Sequence, residues 1–171
     1  MAKSKELILD FSEYDTANVV ADLEEIRRHN RQRYEMEQLT AVCFVDSERH
    51  IAVGYKDLTQ EEFWVRGHMP GTPLLPGVIM CEIAAQLCSF YSQRHGLLGN
   101  DATLGFGGMN DVRFRGVVRP GDRIVVVSQL VKVRKGVLVT SRFQAFVGQN
   151  LVAEGEILGV ALPADSAILG K

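Results

Sequence analysis

From Val78 to Tyr91 the chain reads VIMCEIAAQLCSFY, apolar at nearly every position. No period-2 alternation interrupts the run, and its length suits a helix better than a strand. A helix that is apolar almost all round belongs in the middle of a fold, so the remaining chain must wrap it. Pro76 supplies a residue suited to the first turn, and Gly96 in RHG supplies a stop signal, so the spacing predicts a helix over 76–94.

The wrapping material follows it. DRIVVVSQLVKVRKG, VLVTSRFQAFVGQ and NLVAEGEILGVAL are long valine-rich strand patterns, separated by Arg134-Lys135-Gly136 and Gly148-Gln149-Asn150. In the middle one, Val137, Val139, Phe143, Ala145 and Val147 share one face, and Thr140, Arg142 and Gln144 the other. An earlier strand over 103–115 adds a fourth, giving a predicted meander of four. GFGG at 105–108 falls inside it and reads as a flexible or bulged edge. Upstream, 39–46 and 51–56 read as two strands joined by a polar turn. Val19, Leu23 and Ile26 recur at helical spacing within the charged stretch 15–37, which predicts a surface helix reaching at least Arg28. Pro163 to Lys171 is small and polar, a tail expected to fray. The expected fold class is α+β: an antiparallel sheet around one central helix, in a single domain over 1–171 with a helical extension over about 1–38.

Composition narrows the function. With 171 residues, 46% hydrophobic and 23% charged, and a net charge of −2, the chain has the balance of an ordinary globular protein. Nothing is basic enough to make nucleic acid the main partner, and no apolar run nears the ~18 residues of a membrane span. The N-terminal MAKSKELILDFSEYD is broken by Asp10 and Glu13, which is not the pattern of a signal peptide. Cys43, Cys81 and Cys88 are odd in number and form no C-x-x-C pair, so they are expected as reduced core thiols of a cytoplasmic protein. The four histidines are scattered, so no metal is expected.

The chemistry concentrates in GHMPGTPLLPGVIMCEIAAQ, residues 67–86. Glu82 is the one carboxylate in the apolar run, and a charge there must find a partner or shift its pKa. With Gln86, Ser89 and Gln93 it forms a narrow polar stripe at helical spacing, which would also suit a solvent-facing edge. His68 stands in a loop stiffened by Pro70, Pro73 and Pro76, with Gly67, Gly71 and Gly77 between them. That loop ends at a helix N-terminus, where the Gly77 amide is free to bind an oxyanion. A base, an acid and an oxyanion donor suit the removal of a proton α to a carbonyl with loss of a β-hydroxyl. The same set suits hydrolysis of a thioester by an activated water. Arg113, Arg115, Arg119 and Arg123 are expected on a sheet rim, with docking of an acidic partner as the alternative.

The stretch 67–86 resembles the signature of the β-hydroxyacyl-acyl carrier protein dehydratases, the FabZ-type hot-dog proteins: G-H-F-P-G-x-P-x-x-P-G-V, then a helix with E-A-x-A-Q. AVGYKDLT, VRFRGVVRPGDRIVV and LVAEGEI extend the resemblance, more weakly, over 23–162. It implies a hot-dog fold and a dimer with active sites at the subunit interface, often assembled further into a hexamer. It implies a cofactor-free enzyme acting on acyl carrier protein substrates. His68 would be the base at C2 and Glu82 of the other subunit the acid at the C3 hydroxyl. The Gly77 amide would hold the thioester oxygen, Gln86 would support the site and Met69 would line it in place of phenylalanine. A thioesterase or a non-catalytic acyl-binding protein on the same fold are the alternatives. The sequence departs from the family at HNRQRYEMEQLTAV, which keeps Arg33 and Tyr34 but loses the proline and apolar run of L-P-H-R-x-P-F-L-L-V-D.

Overall fold

A computed structural model describes residues 6–99 and 102–162. Helix α2 (Gly77–Arg94) runs through the centre, with Ile83, Ala84, Leu87 and Phe90 wholly buried. Around it lie β1 (Ala41–Asp46), β2 (Ile51–Asp57), β3 (Thr103–Phe114), β4 (Arg123–Arg134), β5 (Leu138–Val147) and β6 (Asn150–Leu162). All neighbouring pairs are antiparallel. The α+β expectation therefore holds, with one long helix held by one antiparallel sheet.

The inner face carries Val126, Val139, Phe143, Ala145, Ala153 and Ile157 against α2. The helix comes close at Gly54, where a Cβ would meet Leu87 Cδ1 at 3.0 Å and the Ala41 carbonyl at 3.1 Å. Any larger residue there would push the helix off the sheet.

The strand order is β1-β2-β4-β5-β6-β3, which corrects the predicted meander of four. Only β4, β5 and β6 run in sequence order. β3 pairs with β6 and becomes an edge, while β2 takes the other side of β4. Local periodicity reports strands and faces, but edge partners are chosen by where the central helix delivers the chain. The GFGG stretch does lie on an edge strand, with a bulge between Phe106 and Gly108.

The outer face is not simply polar. Cys43, Ile51, Val53, Tyr55, Val125, Val127 and Phe146 form a second core, closed by Leu9 with Phe11 and Tyr14. Phe11 meets Phe146 edge-on at 5.0 Å between centroids. Gln144, expected on the polar face, is buried there; its Oε1 accepts from the Ile8 amide and its Nε2 donates to the Glu6 carbonyl. The segment upstream of β1 is accordingly more strap than helix. It holds α1 (Leu23–His29) and two 3-10 turns, Phe11–Glu13 and Tyr34–Met36. The predicted surface helix starts late because the Val20 and Ala21 amides are taken by the Val42 carbonyl. Asp22 then caps α1 through the Glu25 amide. Val19, expected on its apolar stripe, is exposed outside it.

Arg123 is bidentate to Asp57 at 2.6 and 2.8 Å and lies over the Tyr55 ring, tying β4 to β2. Arg115 pairs with Glu154. The three cysteines are buried and unpaired, and burial pushes the Cys43 thiol up to about 11. Among the described residues no helix is long and apolar enough to cross a membrane. The tail expected to fray, 163–171, lies outside the described residues.

Candidate active site

The segment between β2 and α2 is pinned before it reaches the helix. The His68 amide donates to the Trp64 carbonyl at 2.8 Å, and the Leu74 amide returns to the His68 carbonyl at 2.8 Å. Met69 and Thr72 exchange amide–carbonyl bonds at 3.2 and 2.9 Å, and the Leu75 amide donates to the Val118 carbonyl. The Pro/Gly-rich loop is thus a braced turn.

This bracing sets the state of the imidazole. His68 Nδ1 lies 2.8 Å from the Leu74 carbonyl oxygen. A carbonyl can only accept, so in the neutral ring Nδ1 carries the hydrogen and Nε2 the lone pair. Nε2 is therefore free to accept a proton.

Pro76 stands at the helix cap and Gly77 is the first helical residue. The Ile79 and Met80 amides both turn back to the Pro76 carbonyl. Gly77 and Val78 keep amides that no acceptor among the described residues takes, with the helix dipole behind them. His68, Leu74, Gly77, Val78, Phe114 and Val118 line one mostly apolar cleft of about 370 Å³. The His68 imidazole and the free amides therefore share a cavity. Met69, expected to line the site, is half exposed and lies outside that cleft in the single chain.

Glu82 faces elsewhere. It borders a separate groove of about 60 Å³ between α2 and strands β3 and β6, with Gln32, Ala85, Ser89 and Phe106. Its exposure is intermediate, so the chain alone does not give it the apolar enclosure expected from its neighbours in sequence. Gln86, one turn on, is buried and donates from Nε2 to Glu82 Oε1 at 2.7 Å. Ser89 is buried beyond it on the same stripe. His68 with Gly77, and Glu82 with Gln86, thus form two half-sites opening into different cavities of one chain.

Two participants had little signal in the sequence. The Leu74 carbonyl orients His68 but is a backbone atom that any residue could supply. Phe114 closes on the helix start: a Cβ on Gly77 would meet its ring at 2.7–2.9 Å. Its place in VRFRGVVRPGD marked the stretch without showing that β3 returns to the mouth of the cleft.

The same pieces recur in known proteins. The model of the FabA-like domain matches residues 30–156. Thermomicrobium roseum has a relative 40% identical over 120 residues, 68% of this chain and 76% of its own length. One from Syntrophobacter fumaroxidans is 33% identical over 145 residues, 85% of this chain and 97% of its own. Both carry the name 3-hydroxyacyl-[acyl-carrier-protein] dehydratase FabZ. Among solved structures, the dehydratase heterocomplex ApeI:P of Xenorhabdus doucetiae superposes with a TM-score of 0.70 at 14% identity, covering 85% of this chain and 97% of that one. At that identity it speaks for the fold alone. With the match running from ahead of β1 into β6, the chain belongs to the FabA-like domain family.

Proposed function

We propose that the protein dehydrates (3R)-hydroxyacyl thioesters of acyl carrier protein to trans-2-enoyl thioesters, in fatty acid synthesis or a related acyl pathway. The observation that carries this reading is the pairing, in one apolar cleft, of His68 with the free Gly77 amide, on a base whose tautomer is set by Leu74. His68 Nε2 removes a proton from C2 of the acyl chain. The charge that develops on the thioester oxygen is met by the Gly77 amide and the helix N-terminus. Glu82 gives its proton to the C3 hydroxyl, the C–O bond breaks, and water leaves as the C2–C3 double bond forms. The proton gained by His68 returns to Glu82 through solvent to restore the resting state.

Because the two half-sites open into different cavities, a complete site takes His68 from one protomer and Glu82 from another. The exposed long edge of β3, with Phe106, Met109 and Phe114 protruding, offers the surface for that pairing, and a trimer of such dimers extends it. Three unpaired buried thiols suit a reducing, cytoplasmic setting.

The test is product identification with matched hydroxyacyl carriers: enoyl thioester absorbance supports dehydration, and free thiol without enoyl product refutes it. Mixing two inactive variants, His68→Ala and Glu82→Gln, probes the shared site. Random reassociation makes half the dimers hybrid, each with one intact site, so about a quarter of wild-type activity returns. No recovery after verified subunit exchange refutes the shared site.

A further inference from the structure

The segment Asn30–Gln38, where the sequence departs from the family signature, is wired into the acid half-site through one side chain. Gln86 Oε1 accepts from the Gln38 amide at 2.9 Å, while Nε2 donates to the Met36 carbonyl at 2.6 Å and to Glu82 Oε1 at 2.7 Å. The Gln86 backbone carbonyl accepts from Asn30 Nδ2 at 2.9 Å. Asn30, Gln38 and Gln86 are 4%, 1% and 2% exposed, so this is an interior network.

Its polarity is fixed by chemistry. A backbone amide can only donate and a backbone carbonyl can only accept, so the Gln86 carboxamide cannot be turned over. Both hydrogens of its NH2 are committed, one to Met36 and one to Glu82, and its oxygen is committed to Gln38. No donor remains on Gln86 to bind substrate. What remains is its effect on Glu82: an Oε1 that faces an N–H donor must accept.

The turn that presents the Met36 carbonyl is purpose-shaped. Tyr34 has φ 58°, a left-handed conformation uncommon outside glycine. The Glu37 amide closes on the Tyr34 carbonyl at 3.0 Å. Arg33 holds the carbonyls of Arg27, Asn30 and Gln32 ahead of the turn, and Gln38 Nε2 donates to the Glu35 carbonyl.

We propose that the Asn30–Gln38 segment is the positioning element of the catalytic acid, acting through Gln86 to hold Glu82 Oε1 as an acceptor and so keep the transferable proton on Oε2. The inference rests on the dehydratase reading for its catalytic meaning, but not for its geometry. Gln86 is a positioning residue, and the 30–38 segment supplies the backbone that this role needs. Among the described residues, the others lining the Glu82 groove, Gln32, Ser89 and apolar or glycine positions, carry no titratable group.

Two measurements test it. In the first, side-chain amide resonances of Gln86 are followed by NMR in the wild-type protein as pH is varied. They are expected to move with the ionisation of Glu82 and to stop moving in Glu82→Gln; resonances indifferent to Glu82→Gln overturn the proposal. This readout needs no turnover, so it stands even if the wild-type protein fails to dehydrate hydroxyacyl carriers, the result that would overturn the dehydratase reading instead. The second is kinetic. Gln86→Glu keeps an acceptor for the Gln38 amide but puts a carboxyl beside Glu82, which raises the pH at which Glu82 loses its proton. The falling alkaline limb of kcat should move up by about one pH unit or more. KM should stay within about threefold, because substrate contacts are untouched. A uniform loss of kcat with an unmoved limb marks a purely structural role and overturns the proposal.

Discussion

Gly77→Ala separates catalytic from structural roles at the helix start. A Cβ there falls 2.7 Å from Phe114 Cζ and 2.9 Å from each Cε. Carbon–carbon contacts settle at about 3.5–4.0 Å, so the ring must retreat by roughly 1 Å. Phe114 is 53% exposed, so it can swing outward, and the cost sits at the bottom of the overpacking range, about 1 kcal/mol. Against this, replacing glycine reduces the entropy of the unfolded chain and returns about 0.4–1 kcal/mol. The two nearly cancel, and a residue of even ~1 kcal/mol moves Tm by only about 2–4 °C in a chain of this size. Activity has no such compensation. The Cα–Cβ bond tilts toward the helix N-terminus, the side on which the Gly77 amide meets the thioester oxygen in the proposed reaction. Loss of one oxyanion donor lowers kcat by about 100- to 1,000-fold. The assay is enoyl thioester formation alongside thermal melting, for Gly77→Ala and for Gly77→Ala with Phe114→Ala. The double variant removes the ring contact but keeps the methyl, so it should stay slow. Activity within about fivefold of wild type in the single variant refutes the oxyanion role, since losing a donor costs far more. Full recovery in the double variant refutes it in favour of a displaced ring.

His68→Ala should lower kcat/KM by about 100- to 10,000-fold while costing only about 1 kcal/mol of stability, the net worth of its bond to Leu74. Retained turnover would remove His68 as the base. Arg27 holds Glu37 through two bonds, at 2.6 and 2.9 Å, and keeps its carboxyl below the ordinary 4.5. This contributes stability above pH 4.5 that is lost as pH falls through the lower folded value. Urea titrations should therefore show Arg27→Ala less stable than wild type at pH 7, with the gap narrowing as pH falls below 4.5. Leu9→Ala, under the outer sheet face, should cost about 2 kcal/mol, near the lower end for buried leucine because a strap can settle inward. Its kcat should be unchanged, since α2 and both half-sites lie across the sheet; a matching loss of kcat would tie the strap to the site.

Much of the fold was legible because it rests on local rules. The apolar run at Val78–Tyr91 has to be a central helix, the valine-rich stretches alternate, and glycine marks the hairpins at Gly136 and Gly148, both at positive φ. The same is true of the loop around His68, whose prolines and glycines announce a shaped backbone. The upstream segment was legible only in part: Leu23 and Ile26 do share α1, but Val19 fits the same period without joining it, and the pull of an apolar outer sheet face on Leu9 and Phe11 is a contact across the whole chain. Burial of Glu82 was likewise inferred from its sequence neighbours, whereas exposure depends on what packs opposite.

The sequence by itself determined the central helix and the strand segments and marked His68, Glu82 and the Gly77 amide as candidates, because each follows from a local pattern along the chain. Tertiary structure alone decided that β3 pairs with β6, that Leu74 fixes the tautomer of His68, and that Gln86 joins Asn30, Met36 and Gln38 to Glu82. It also decided that His68 and Glu82 face different cavities. The physical reason is that these are bonds and orientations between residues from different elements. Side-chain periodicity states which face a residue occupies, but only closure of the chain states what stands across from it.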